Sequence, residues 1–143
     1  MFEDERDDKI YKIFITQGED KDNEYGRFTE KLYSKADFLW KETMIGTDEY
    51  HNAPSIFFED IDVIILLAGI YTQNKDKIDK LVDAALKYKI PMVLVRPYGM
   101  EEVPLNLEKV AEGLVGWNAN CIVDTIKGTL NPELQEDYCE IDE

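Results

Sequence analysis

The side chains of this chain best suited to recognition chemistry share one placement, just past a short aliphatic run that ends in a tight polar turn. Ile64–Leu67 runs into Ala68-Gly69-Ile70-Tyr71, Met92–Val95 into Arg96-Pro97-Tyr98-Gly99, and Leu114–Val115 into Gly116-Trp117-Asn118. A fourth run, ending at Ile15, leads into Thr16-Gln17-Gly18. Arg96 can grip a phosphate or carboxylate in bidentate fashion, and Tyr71, Tyr98 or Trp117 can stack on a base or on a partner's side chain. Thr16, Gln17, Gly69 and Asn118 add hydroxyl, amide and close backbone approach, which completes the candidate ligand-binding set. A purely structural use of the same residues competes with this reading: Arg96 pairing with a nearby acid, Pro97 and Gly99 shaping a turn, Trp117 covering the core.

The elements that must position these turns alternate between strand and helix. Ile10–Thr16 reads as a buried first strand. A helix follows from about Asn23 to Ser34, with Tyr25, Phe28, Leu32 and Tyr33 at helical spacing and Asp22 or Asn23 as N-cap. Phe38–Glu42 is a short second strand, and 43–60 is a polar stretch without clear period. Val63–Leu67 is an unbroken aliphatic run with no solvent face, as expected of a central parallel strand covered on both sides. A helix over about Asp76–Tyr88 places Ile78, Leu81, Val82, Ala85 and Leu86 on one stripe and stops before Pro91. Met92–Val95 is the fourth strand. A short helix near Leu105–Glu112 ends at Gly113, Val115 marks a fifth strand, and Asn118 or Asn120 caps a last helix through Lys127 with Gly128 beyond it.

Strands separated by helices require right-handed crossovers and a parallel sheet covered on both faces. Five strands in 143 residues predict a flavodoxin-like three-layer α/β/α sandwich of strand order 2-1-3-4-5. In such a sheet the turns at the carboxyl ends of the strands floor the binding crevice.

Charge narrows the partners. The net charge is −15, but residues 1–8 carry five acids against one arginine and residues 132–143 carry six acids and no base, which leaves −5 for residues 9–131. The chain therefore divides into an acidic N-terminal tail (1–8), one domain (9–130) and an acidic C-terminal tail (131–143), the tails being of the solvating kind. Phosphate backbones and anionic lipid are met through clustered Lys and Arg, so neither nucleic acid nor membrane is an expected partner. With no long apolar run and no signal-peptide apolar region, the expected location is cytoplasmic. Cys121 and Cys139 have neither the spacing nor the context of a disulfide or zinc site, and His51 lacks a second histidine to pair with as a ligand.

The ordered co-occurrence of Lys12-Ile13-Phe14-Ile15-Thr16, Asp62-Val63-Ile64-Ile65-Leu66-Leu67-Ala68-Gly69, Val95-Arg96-Pro97-Tyr98-Gly99 and Val115-Gly116-Trp117-Asn118 resembles the TIR-like domain of the Thoeris ThsB type, over about residues 9–130. The resemblance implies a flavodoxin-like fold and a role in signalling or antiphage defence. It also implies, for active members, cleavage of NAD to a cyclic ADP-ribose signal by a glutamate on the helix after the third strand. That helix usually begins like Trp-Ile-x-x-Glu and leads to a Lys-Pro pair. Here the corresponding residues are Lys77-Ile78-Asp79-Lys80-Leu81, with leucine at the glutamate position. Leucine cannot stabilise an oxocarbenium-like charge or orient a ribose hydroxyl. Asp79 and Asp83 lie two residues to either side, about 200° around the helix.

Two other chemistries of this fold fit poorly. A phosphorylatable receiver needs an acceptor Asp where Ala68-Gly69 stands and a Lys where Gly116-Trp117 stands. An FMN site needs a phosphate cradle where Glu19, Asp20 and Asp22 would repel the anion. Glu19 and Asp20 carry oxygens of the kind that hold Mg²⁺, but adjacent surface acids are ordinarily unoccupied, so no metal and no cofactor is assigned. The leading expectation is a non-catalytic TIR-like module binding a nucleotide-like ligand or a protein partner. One alternative is an NAD-cleaving enzyme that recruits Asp79, Asp83 or Glu19, and another is a homo-oligomerising domain using 43–60 as its contact surface.

Overall fold

The computed structural model describes residues 9–130 except 17, 21–22, 37, 44–58, 98 and 100–101. Both tails, Gln17, Asp22, His51, Tyr98, Cys139 and most of the 43–60 segment therefore lie outside the described residues.

Five strands, β1 (Tyr11–Ile15), β2 (Trp40–Glu42), β3 (Val63–Leu67), β4 (Met92–Val95) and β5 (Gly113–Val115), form one sheet in the order β2-β1-β3-β4-β5. Every neighbouring pair is parallel, so the turns that follow the strands all emerge at one edge. This is the flavodoxin-like arrangement expected from the sequence. The register sets Ile15 beside Ile65 and Leu67 beside Val95. All five residues of β3 and all four of β4 are buried, because helices cover both faces and an unbroken aliphatic run is the only composition that satisfies both.

The helices are α1 (Glu24–Tyr33), α2 (Lys75–Lys87), α3 (Leu105–Val110) and α4 (Ala119–Leu130). Helices α1 and α4 pack against each other on one face. Right-handed crossovers from β3 through β5 place α2 and α3 on the other. Among the described residues, no helix is long and apolar enough to cross a membrane.

Several local readings need correction. In α1 the buried row is Glu24, Phe28 and Leu32, while Tyr33 is 72% exposed and lies 5.0 Å from the Trp40 ring. At about 100° per residue, Tyr33 stands roughly 140° from Phe28, on the opposite side of the helix. Leu86 is half exposed, at the margin of the stripe formed by Ile78, Leu81, Val82 and Ala85. Gly113 does not close α3 in a left-handed turn, since Ala111 ends that helix in an extended conformation and Gly113 opens β5. A Cβ there would lie 2.6 Å from Thr125 Cγ2, so the glycine serves the close approach of α4 to the sheet. Gly128 lies buried within α4, which continues to Leu130.

Candidate functional site

The chain leaves β1 through Thr16, which is 1% exposed. Its hydroxyl oxygen accepts the Leu67 N–H at 3.1 Å and its own N–H donates to Ile65 O at 3.0 Å. Thr16 thus fastens the ends of β1 and β3 together, and its acceptor is used within the fold.

After β3 the chain does not make a simple tight turn. Two successive 3₁₀ turns, Ala68–Ile70 and Thr72–Asn74, lead straight into α2. Asn74, 9% exposed, ties this segment to the loop after β1. Its Nδ2 donates to Glu19 O at 2.9 Å and to Ile70 O at 2.7 Å, while its Oδ1 accepts the Glu19 N–H at 2.9 Å. Tyr71 is buried, with its hydroxyl donating to Asp79 Oδ1 at 2.6 Å and accepting from Asn106 Nδ2 at 2.8 Å. Its ring joins α2 to α3 and does not lie open as a stacking platform.

At the end of β4, the Arg96 N–H donates to Val115 O at 2.9 Å and the Arg96 carbonyl accepts Trp117 Nε1–H at 2.9 Å. Trp117 is half-buried and meets Phe28 edge-on at 6.3 Å, which makes it a bridge between the strand-end turn and α1. Asn118 caps α4, its Oδ1 accepting the Cys121 N–H at 3.0 Å. The Arg96 guanidinium belongs to a half-buried residue, and among the described residues no carboxylate forms an ion pair with it. The structure therefore brings Thr16, Gly69, Tyr71, Arg96, Trp117 and Asn118 to one edge of the sheet, and commits Thr16, Tyr71, Trp117 and Asn118 to holding that edge together.

A carboxylate not anticipated from sequence lies at the same edge. Glu24, the first residue of α1, is only 3% exposed. Its carboxylate sits against Gly69, so that a Cβ at position 69 would collide with both carboxylate oxygens. Glu24 is not needed as a helix cap, because Asp20 accepts the N–H groups of Glu24 and Tyr25 at 2.7 and 2.8 Å and Asn23 accepts that of Gly26 at 3.3 Å. The sequence did carry a signal for it: Glu24, Phe28 and Leu32 are spaced four apart, on one face.

The other carboxylates weighed for catalysis are placed differently. Leu81, at the position of the expected glutamate, is 3% exposed and part of the core. Asp79 receives the Tyr71 hydroxyl and lies 3.6 Å from Lys75 Nζ, while Asp83 and Glu19 are exposed. Both Asp20 oxygens turn to the α1 backbone, away from any pairing with Glu19 on a cation.

At the flank of the edge, Tyr25 donates its hydroxyl proton to Glu42, both carboxylate oxygens lying at 2.7 Å. Burial and then the Glu42 carboxylate push the Tyr25 phenol up to about 12. A raised phenol pKa favours the neutral form in the folded state, so this contribution to stability is intact below pH ~10, the ordinary phenol value, and is lost as pH rises through the folded value. Titration of tyrosinate absorbance is expected to show one phenol ionising near pH 12, moving down but not fully to its ordinary value in Glu42→Gln because burial persists. An unchanged late phase in that variant would contradict the pairing.

No protein-family model matches the chain, and no curated protein matches it.

Proposed function

We propose that the chain is a TIR-like signalling module, of the kind used in antiphage defence, which binds a nucleotide-type ligand at the strand-end crevice and does not turn over NAD. The observation that carries this reading is Leu81: the position where the resemblance expects a carboxylate holds an aliphatic side chain packed in the core, 3% exposed. No slip of one or two residues repairs it, since Asp79 is held by Tyr71 and Lys75 and Asp83 faces solvent. Arg96 supplies the anion-binding group, on a backbone fixed by hydrogen bonds to Val115 and Trp117. A protein partner presenting a carboxylate or phosphate to Arg96 would use the same edge.

Binding to the folded state alone raises apparent stability, by about 2.7 kcal/mol at a ligand concentration 100 times Kd. A thermal-shift screen with NAD, ADP-ribose and cyclic nucleotides is expected to find a ligand that stabilises the parent and fails to stabilise Arg96→Ala. Equal shifts in the two proteins would remove Arg96 from the site. No shift with any nucleotide would refute the nucleotide reading.

A further inference from the structure

We infer that the backbone N–H and C=O of Glu19 form a reading edge for an adenine-type base, and that the Asn74 carboxamide is an internal stand-in occupying this edge until such a ligand displaces it. This rests on the proposed binding of a nucleotide-type ligand and names the part of it that is read. In the order β2-β1-β3-β4-β5 the winding reverses between β1 and β3, where this architecture opens a crevice at the carboxyl ends of its strands. Asn74 spans that point. Its Oδ1 accepts the Glu19 N–H at 2.9 Å and its Nδ2 donates to Glu19 O at 2.9 Å, so one carboxamide takes up both the donor and the acceptor of a single residue. Gly18 gives it room, since a Cβ there would collide with the carboxamide.

The contact is built to open reversibly. Gly18 and Glu19 are exposed, so releasing them uncovers no core side chain. Thr16, bonded to Ile65 and Leu67, and Asp20, bonded to the first turn of α1, hold the chain on either side, so the Glu19 edge keeps its place when Asn74 leaves. Asn74 also lines an open groove of about 390 Å³ with Thr72, Gln73, Lys75, Asp76 and Lys77, through which a ligand reaches it. The chemistry of the edge selects the occupant. A carboxamide and an edge of adenine present the same pair, an N–H donor beside an acceptor in one plane. Both are neutral, which suits a loop whose Glu19 and Asp20 carboxylates would repel a phosphate. Because ligand and Asn74 compete for one edge, the parent binds with an affinity reduced to the fraction of molecules in which Asn74 is displaced.

The test uses AMP and purine riboside 5′-monophosphate, which lacks only the 6-amino group. Calorimetric titration of the full chain is expected to show Asn74→Ala binding AMP more tightly than the parent, by roughly fivefold or more, and losing about fivefold when the 6-amino group is absent. In the parent, NMR exchange measurements are expected to show the Asn74 side-chain amide protons losing their protection on saturation with AMP, a change that needs no variant to fold. A clamp that is only structural would keep that protection in the bound state, and Asn74→Ala would bind AMP no better than the parent. Either result overturns the inference and leaves nucleotide binding in place. So does equal affinity of Asn74→Ala for the two nucleotides. Absence of AMP binding by both proteins would overturn it too, while the thermal-shift screen with Arg96→Ala decides separately whether the nucleotide reading stands.

Discussion

Gly69→Ala is expected to destabilise the protein by about 1–3 kcal/mol, the range for forcing extra volume into a packed site, although the substitution adds one methyl group. The new Cβ falls on the Glu24 carboxylate, which is buried and backed by the first turn of α1. Either α1 shifts away from the end of β3 or the carboxylate leaves its seat. Glu24→Ala in the Gly69→Ala background removes the colliding atoms, so the pair is expected to be coupled by more than the roughly 0.5 kcal/mol scatter of independent sites. Urea denaturation of the two single variants and the double variant measures that coupling. Additive effects would mean that Glu24 does not lie against residue 69.

Asn74→Asp is expected to cost more, about 3 kcal/mol or above at neutral pH, from two lost hydrogen bonds and a buried acceptor facing acceptors. The Nδ2 group now donates to both Glu19 O and Ile70 O, and aspartate would turn an oxygen toward those carbonyls in a residue that is 9% exposed. Burial and facing carbonyl dipoles raise the pKa of the introduced acid above its unfolded value. The folded variant then binds more protons than the unfolded chain, and acidification from pH 7 toward pH 5 narrows the deficit. Asn74→Ala loses these two bonds and also the acceptor for the Glu19 N–H, but brings no buried repulsion, and should fall between the parent and the aspartate variant. Urea midpoints at the two pH values check this, and a variant as stable as its parent would show that Asn74 does not hold the two loops.

What could be read from the sequence follows from how many faces of an element are buried. Strands β3 and β4 are covered on both sides, so their composition alone defined them to the residue. Helix α1 has one buried face, and counting Tyr33 as apolar widened that face to a side which is in fact exposed, while the carboxylate of Glu24 disguised its true row. The parallel order brought the strand-end turns together as expected. Their polar residues were harder to interpret. A hydroxyl, indole or amide that satisfies a neighbour's backbone is the same side chain that would satisfy a ligand, and only geometry separates the two. Thr16 on Leu67, Trp117 on Arg96 and Asn118 on Cys121 belong to the first kind. Gly113 and Gly128 illustrate the same limit, since a glycine required for close packing or tolerated inside a helix looks like one required for a helix end.

Arg96 is half-buried at the strand-end edge with no carboxylate paired to it among the described residues, and Leu81, where the proposed reading expects NAD cleavage to need a carboxylate, is packed in the core. The most direct test is to incubate the purified chain with NAD and quantify released nicotinamide over hours against a buffer control. The expected result is release at the background rate. Sustained nicotinamide release proportional to protein concentration would contradict the account.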